Sequence, residues 1–183
     1  MSLTLANKIT ICRILAVPFL IGIVLYYSPE KDHLRYWALG IFVLAAGLDF
    51  FDGYFARTRN EKTRAGAILD PLADKLLLIS AFICLYKVGV DFPVVRFPIW
   101  LVVAVISRDI ILLTGSLLLY MVHRRLPMEA TTWGKVSTFL QVLVVIGMFL
   151  QWKISVYVWP MVLVFVLISV VDYIRKGIKM ING

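Results

Sequence analysis

Four aspartates lie close together in a chain that is otherwise poor in acidic residues. Asp49 and Asp52 are three positions apart, and Asp70 and Asp74 are four apart, so each pair shares one face if its segment is helical. Carboxylates that meet in a low dielectric cannot all ionise unless cations compensate them. Carboxylate oxygens without His or Cys ligands select hard ions such as Mg²⁺, Mn²⁺ or Ca²⁺ over zinc. The pattern predicts a site for two divalent ions, which suits a phosphoryl-type substrate.

Small residues and one arginine accompany the aspartates. Gly53 and Ala56 lie on or beside the face of the first pair, and Gly66 lies one turn before Asp70. Missing side chains open a groove in which a ligand can approach the backbone, and Arg57 offers a planar fork for a phosphate. We therefore expect a pocket for a phosphorylated ligand. A cation transporter is the alternative, although an ion pathway does not require these residues at these offsets.

The composition requires these polar residues to lie in or at a membrane. Hydrophobic residues make up 61% of the 183 residues and charged residues 16%, against about 45–50% and about 25% in globular proteins. A soluble domain of this size could not cover so much apolar surface. The composition excludes a disordered chain, a disulfide scaffold and a coiled coil, and it predicts an all-α integral membrane protein.

Six apolar stretches are long enough to cross a bilayer, which takes about 20 residues each. They lie at 10–28, 36–57, 67–87, 96–121, 134–152 and 155–174. Because they take up most of the chain, we expect one membrane domain over residues 1–183. This domain would be a six-transmembrane-helix bundle with a polar cavity that faces the cytoplasm. A short loop joins the second and third stretches, so antiparallel helices can bring the two aspartate pairs together.

The basic residues predict the orientation. The net charge of +8 would suggest nucleic acid in a soluble protein; here it indicates cytoplasmic loops and anionic membrane lipids, with no nucleic-acid partner. Twelve of the 19 Lys and Arg residues flank the spans on the N-terminal side of the membrane, and five flank the other side. This asymmetry predicts a multi-pass protein, in a cell inner membrane, with both termini and the active site in the cytoplasm.

The full motif resembles the signature of the CDP-alcohol phosphotransferase family at every position. Its eight residues are Asp49, Asp52, Gly53, Ala56, Arg57, Gly66, Asp70 and Asp74. The resemblance extends along nearly the whole chain. It implies an enzyme of phospholipid biosynthesis that transfers a phosphatidyl group from CDP-diacylglycerol to an acceptor alcohol, and it implies a homodimer.

The resemblance also implies a role for each motif residue. Asp49, Asp52 and Asp70 would bind two divalent ions, Mg²⁺ or Mn²⁺, that hold the pyrophosphate of the CDP-linked lipid. Asp74 would be the catalytic general base and a further metal contact, and it would deprotonate the acceptor hydroxyl that expels CMP. The CDP-lipid groove would be formed by Asp52, Gly53, Ala56, Arg57 and Gly66.

The acceptor is predicted from segments outside the motif. Asn7, Thr10 and Arg13 near the N-terminus, and the segment 134–141, resemble phosphatidylglycerophosphate synthases of this family. This resemblance predicts glycerol 3-phosphate as the acceptor. Both segments recur in the cardiolipin synthases of the family, and the segment 107–109 (Ser-Arg-Asp) resembles that branch better. A cardiolipin synthase that uses phosphatidylglycerol is therefore the alternative.

Either acceptor carries a phosphate, so cations are expected near the site. Arg108 and Lys135 are the candidate acceptor-binding residues. A buried ion pair is the alternative for Arg108, and a topology-determining surface charge is the alternative for Lys135. Lys75 directly follows Asp74, and a lone ammonium deep in a span is costly. We therefore expect Lys75 to pair with Asp109.

Overall fold

The computed structural model is all-helical in the part of the chain that it describes, which confirms the predicted class. It describes the backbone of residues 5–59, 64–123 and 131–182, and the side chains of residues 10–48, 72–116 and 131–178. The six α-helices are α1 (Leu5–Leu25), α2 (His33–Arg59), α3 (Arg64–Val88), α4 (Ile99–His123), α5 (Thr132–Phe149) and α6 (Ser155–Asn182). Two short 3₁₀ turns, at Pro29–Lys31 and Gly89–Asp91, precede α2 and α4. Strands are absent from these ranges.

Three of these helices are apolar over a length that can cross a membrane. The apolar stretches are Ile99–Ser116 in α4, Thr132–Phe149 in α5 and Ser155–Ile178 in α6. Shorter apolar stretches lie in α1, at Thr10–Leu25, and in α2, at His33–Leu48. Many large apolar side chains on these helices are exposed, as expected for a surface that faces lipid. The chain is therefore a membrane protein.

The helices extend beyond the predicted spans at both ends of the chain. The first span was expected to begin at residue 10, but α1 begins at Leu5. The last was expected to end at residue 174, but α6 continues to Asn182. Hydropathy detects only the apolar part of a helix, whereas the backbone hydrogen bonds continue through polar residues such as Lys8 and Lys176.

An apolar core occupies one end of the molecule. Aromatic rings join the helices there: Phe42 of α2 lies 6.2 Å from Phe149 of α5, and Phe82 of α3 stacks 5.1 Å from Phe97 in the segment before α4. Phe97 in turn lies 6.3 Å from Trp159 of α6. These residues lie near the starts of α2, α4 and α6 and in the second halves of α3 and α5, so helices that follow one another in the chain run in opposite directions.

Buried polar residues occupy the opposite end of the helices. Arg108 and Asp109 in α4 are buried, as are Ser137 and Gln141 in α5 and Ser169 in α6. Thr10 and Arg13 in the first half of α1 are buried as well. This polar end includes the end of α2 and the start of α3, where the aspartate motif lies. The fold therefore separates an apolar packing end from a polar end.

Candidate active site

The four aspartates lie in the adjoining ends of α2 and α3. Asp49 and Asp52 lie in the last turns of α2, whereas Asp70 and Asp74 lie in the first turns of α3. The start of α3, Arg64, is only five positions after the end of α2, and the two helices contact each other. Both pairs therefore lie on helices, which is the condition for their spacing to place each pair on one face.

Most side chains of the motif lie outside the described residues. These are Asp49, Asp52, Gly53, Ala56, Arg57, Gly66 and Asp70. Asp74 lies within the described part and is half-buried. Among the described side chains, no three His, Cys, Asp or Glu residues form a metal-binding group. The predicted metal ligands and the predicted CDP-lipid groove thus stay predictions. The four predicted metal ligands are all carboxylates, which fit a hard divalent ion.

A buried ion pair lies immediately beside Asp74. The Nζ atom of Lys75 donates a hydrogen bond to Oδ1 of Asp109 at 2.8 Å and links α3 to α4. Asp109 is fully buried and Lys75 nearly so. A charged group costs much free energy to bury unless it is paired, which explains why the two residues meet. The predicted pairing of Lys75 with Asp109 is confirmed.

Arg108 takes part in the same buried group. Its Nη1 atom lies 2.6 Å from Oδ1 of Asp109, and its Nη2 atom donates to Oγ of Ser169 at 3.0 Å and to the carbonyl of Gly134 at 3.2 Å. The side chain is 2% exposed. The buried ion pair, one of the two interpretations of Arg108, is therefore present. Its role in acceptor binding stays a prediction.

Lys135 lies at the start of α5, next to this group. Thr131 caps the helix, because its Oγ1 accepts a hydrogen bond from the backbone N–H of Gly134 at 3.0 Å. Lys135 is exposed, so its ammonium is accessible to a ligand at the polar end. Its role in acceptor binding also stays a prediction.

Sequence reasoning assigned no individual role to several buried polar residues at this end. Ser137 and Gln141 are fully buried on one face of α5, and the Nε2 atom of Gln141 lies 3.4 Å from Oγ of Ser137. Ser169 of α6 contacts Arg108. In the sequence, these residues can be recognised as polar residues at helical spacing within apolar helices. Such spacing identifies a buried face, but it does not identify the partner of each side chain.

Comparison with known proteins identifies the relatives of this chain. The sequence model of the CDP-alcohol phosphatidyltransferase family matches residues 3–171. A protein of Aquifex aeolicus named CDP-diacylglycerol–glycerol-3-phosphate 3-phosphatidyltransferase is 32% identical, over 96% of this chain and 96% of its own length. A Bacillus subtilis protein of the same name is 36% identical, over 80% of this chain and 77% of its own length. A Mycobacterium bovis protein named "Putative cardiolipin synthase" is 29% identical, over 88% of this chain and 80% of its own length.

Proposed function

The chain belongs to the CDP-alcohol phosphatidyltransferase family, and on this premise we propose that it transfers the phosphatidyl group of CDP-diacylglycerol to glycerol 3-phosphate. The products would be phosphatidylglycerophosphate and CMP. The observation that carries the proposal is the eight-position aspartate motif at the adjoining ends of α2 and α3. The Aquifex and Bacillus relatives, whose names state this reaction, support it.

Asp74 acts as the general base in the proposed reaction. Its carboxylate takes the proton of an acceptor hydroxyl, and the hydroxyl oxygen attacks the lipid-side phosphorus of CDP-diacylglycerol. The bond between that phosphorus and the bridging oxygen breaks, and CMP leaves with the oxygen. Deprotonation makes a weak nucleophile reactive. The transfer needs no covalent enzyme intermediate.

The other motif residues bind the CDP-linked lipid. Asp49, Asp52 and Asp70 would hold two Mg²⁺ or Mn²⁺ ions, with Asp74 as a further contact. When bound, these ions offset the negative charge of the pyrophosphate and of the departing CMP. The small residues and Arg57 would form the groove for the cytidine diphosphate. Lys135 and Arg108 would attract the phosphate of the acceptor.

We propose that all six helices of this single domain cross the membrane as one bundle. The polar end would open as a cavity toward the cytoplasm, with both termini on that side of an inner membrane. The excess of basic residues on that side and the buried polar residues at that end of the helices support this arrangement. The family resemblance supports a homodimer.

A cardiolipin synthase is the second candidate. The segment 107–109 resembles that branch, and the Mycobacterium bovis relative bears that name. In this case the acceptor hydroxyl would belong to phosphatidylglycerol rather than to glycerol 3-phosphate, while the chemistry at Asp74 would be the same.

The acceptor can be tested with the purified protein in detergent. The reaction contains CDP-diacylglycerol, Mg²⁺ or Mn²⁺, and either glycerol 3-phosphate or phosphatidylglycerol, and CMP release is measured. We expect release with glycerol 3-phosphate and none after chelation with EDTA. Release only with phosphatidylglycerol would establish the second candidate. No lipid product with either acceptor would contradict both.

A further inference from the structure

Asp109 accepts hydrogen bonds from two cations with a single oxygen. Lys75 Nζ and Arg108 Nη1 lie 2.8 Å and 2.6 Å from its Oδ1, while Oδ2 is buried with no hydrogen-bond partner among the described residues. The carboxylate is fully buried, so water does not screen these contacts. Each cation is therefore strongly held by Asp109.

The group around Asp109 joins four helices. Lys75 is on α3, and Arg108 and Asp109 are on α4. Arg108 also contacts Ser169 on α6 and the carbonyl of Gly134 on α5. Asp109 thus ties α3 to a framework of three other helices.

The contact with Lys75 limits the rotation of α3 about its axis, together with the packing of the buried α3 residues Ala73, Leu77 and Ala81. Lys75 directly follows Asp74, and both side chains extend from the same turn of the helix. Side-chain ends lie roughly 6 Å from a helix axis, so a rotation of about 10° moves them by about 1 Å. A misplacement of about 1 Å in a reacting group can cost about 100-fold in rate. The direction of the Asp74 carboxylate therefore depends on where Lys75 is held.

We propose that Asp109 is a positioning residue for the reaction: by holding Lys75, it limits the rotation of α3 and so helps to orient the Asp74 carboxylate. This inference rests on the proposed function, in which Asp74 is the general base. Asp109 itself does not touch substrate. Of the residues expected to bind the CDP-lipid, Asp52, Gly53, Ala56 and Arg57 belong to α2, which this contact does not hold, whereas Gly66 and Asp70 belong to α3, as Asp74 does.

Lys75→Met is the first variant to test. It removes the contact with Asp109 but leaves Asp109 paired with Arg108, so no buried charge loses its last partner. We expect kcat for CMP release to fall about 10- to 100-fold. KM for CDP-diacylglycerol should change much less than kcat, because most of the residues that bind this lipid lie on α2. Lys75→Arg keeps a cation that reaches Asp109, and we expect it to recover most of kcat.

Asp109→Asn tests the other partner of the same contact. The amide keeps the shape of the side chain but not its charge, and kcat should fall at least as far as in Lys75→Met. Asp109→Asn removes the charge that pairs with Arg108 as well as the contact with Lys75. Because Lys75→Met removes only the contact with Asp109, the double variant should lose no more kcat than Asp109→Asn alone. Asp172→Asn removes the partly exposed pair of Asp172 with Lys176, 3.4 Å apart on α6, and should keep the wild-type kcat.

Two results would overturn the positioning role. One is a Lys75→Met protein with wild-type kcat, whether or not its melting temperature is lower, because a purely structural pair affects stability alone. The other is a double variant whose loss of kcat equals the product of the losses in the two single variants. Both of these results can be obtained only if the wild-type protein releases CMP. A wild-type protein that releases no CMP with any acceptor would instead contradict the proposed function.

Discussion

At the scale of single residues, the molecule places its buried charges where each has a partner or a role in the site. Asp109 pairs with both Lys75 and Arg108, as the cost of burying a lone charge requires. The four motif aspartates outnumber the cations close to them within the predicted spans, Arg57 and Lys75. We therefore interpret the aspartates as groups kept for chemistry and the Asp109 group as the structure that supports them.

The role of Asp74 predicts the behaviour of Asp74→Asn. An amide cannot accept the proton of the acceptor hydroxyl, so CMP release should fall by about 10²- to 10⁴-fold. Binding of CDP-diacylglycerol should be largely kept, because the other three aspartates remain. The measurements are CMP release under saturating acceptor and equilibrium binding of the CDP-lipid. Asp91→Asn, an exposed site in the turn before α4, is the control. Full activity in Asp74→Asn would disprove the role as base.

At the scale of helices, packing at the apolar end depends on close approach and on one specific turn. Gln151 follows α5 with a φ of 56°, and its Oε1 accepts hydrogen bonds from the backbone N–H groups of Val94 and Val95 at 3.1 and 3.0 Å. The turn after α5 is thereby joined to the segment before α4. Nearby, α5 and α6 meet at Gly147, where a Cβ atom would lie 2.9 Å from Cβ of Ser155.

The close approach at Gly147 predicts that Gly147→Ala destabilises the protein. The opposing Cβ of Ser155 is fixed to the backbone and cannot rotate away, so α5 and α6 must separate, at a cost of about 1–3 kcal/mol. Gly22→Ala on α1 is the matched control, since nothing lies within 4 Å of its added Cβ. Melting temperatures in detergent should fall for Gly147→Ala and stay level or rise for Gly22→Ala. Equal melting temperatures would contradict the packing of these helices.

At the scale of the whole molecule, the fold has a polar end and an apolar end. The polar end contains the aspartate motif, Arg108 and the start of α5 at Thr132, while the apolar end contains the aromatic cluster around Phe97. In the proposed orientation the polar end faces the cytoplasm. The site would then meet water-soluble glycerol 3-phosphate from one side and the CDP-linked lipid from the membrane.

The proposed orientation predicts which introduced cysteines a membrane-impermeant maleimide reaches. Cys12 and Cys84 are first replaced by alanine. Lys153→Cys, between α5 and α6, should be labelled in intact spheroplasts, whereas Arg175→Cys near the end of α6 should be labelled only after permeabilisation. Both side chains are exposed. The reverse labelling pattern would contradict cytoplasmic termini.

The helical membrane class, the aspartate motif and the pairing of Lys75 with Asp109 could be predicted from the sequence alone. Composition and helical spacing are local properties, and the cost of a lone buried ammonium requires an opposite charge, which Asp109 offers in another apolar span. The remaining partners of Arg108 became known only from the packing of the helices. Ser169 and Gly134 are 61 and 26 positions away from it, and contacts over such separations depend on how the helices pack. The same packing placed the buried polar residues of α1, α4, α5 and α6 at the end of the molecule that holds the motif, which no single helix could specify.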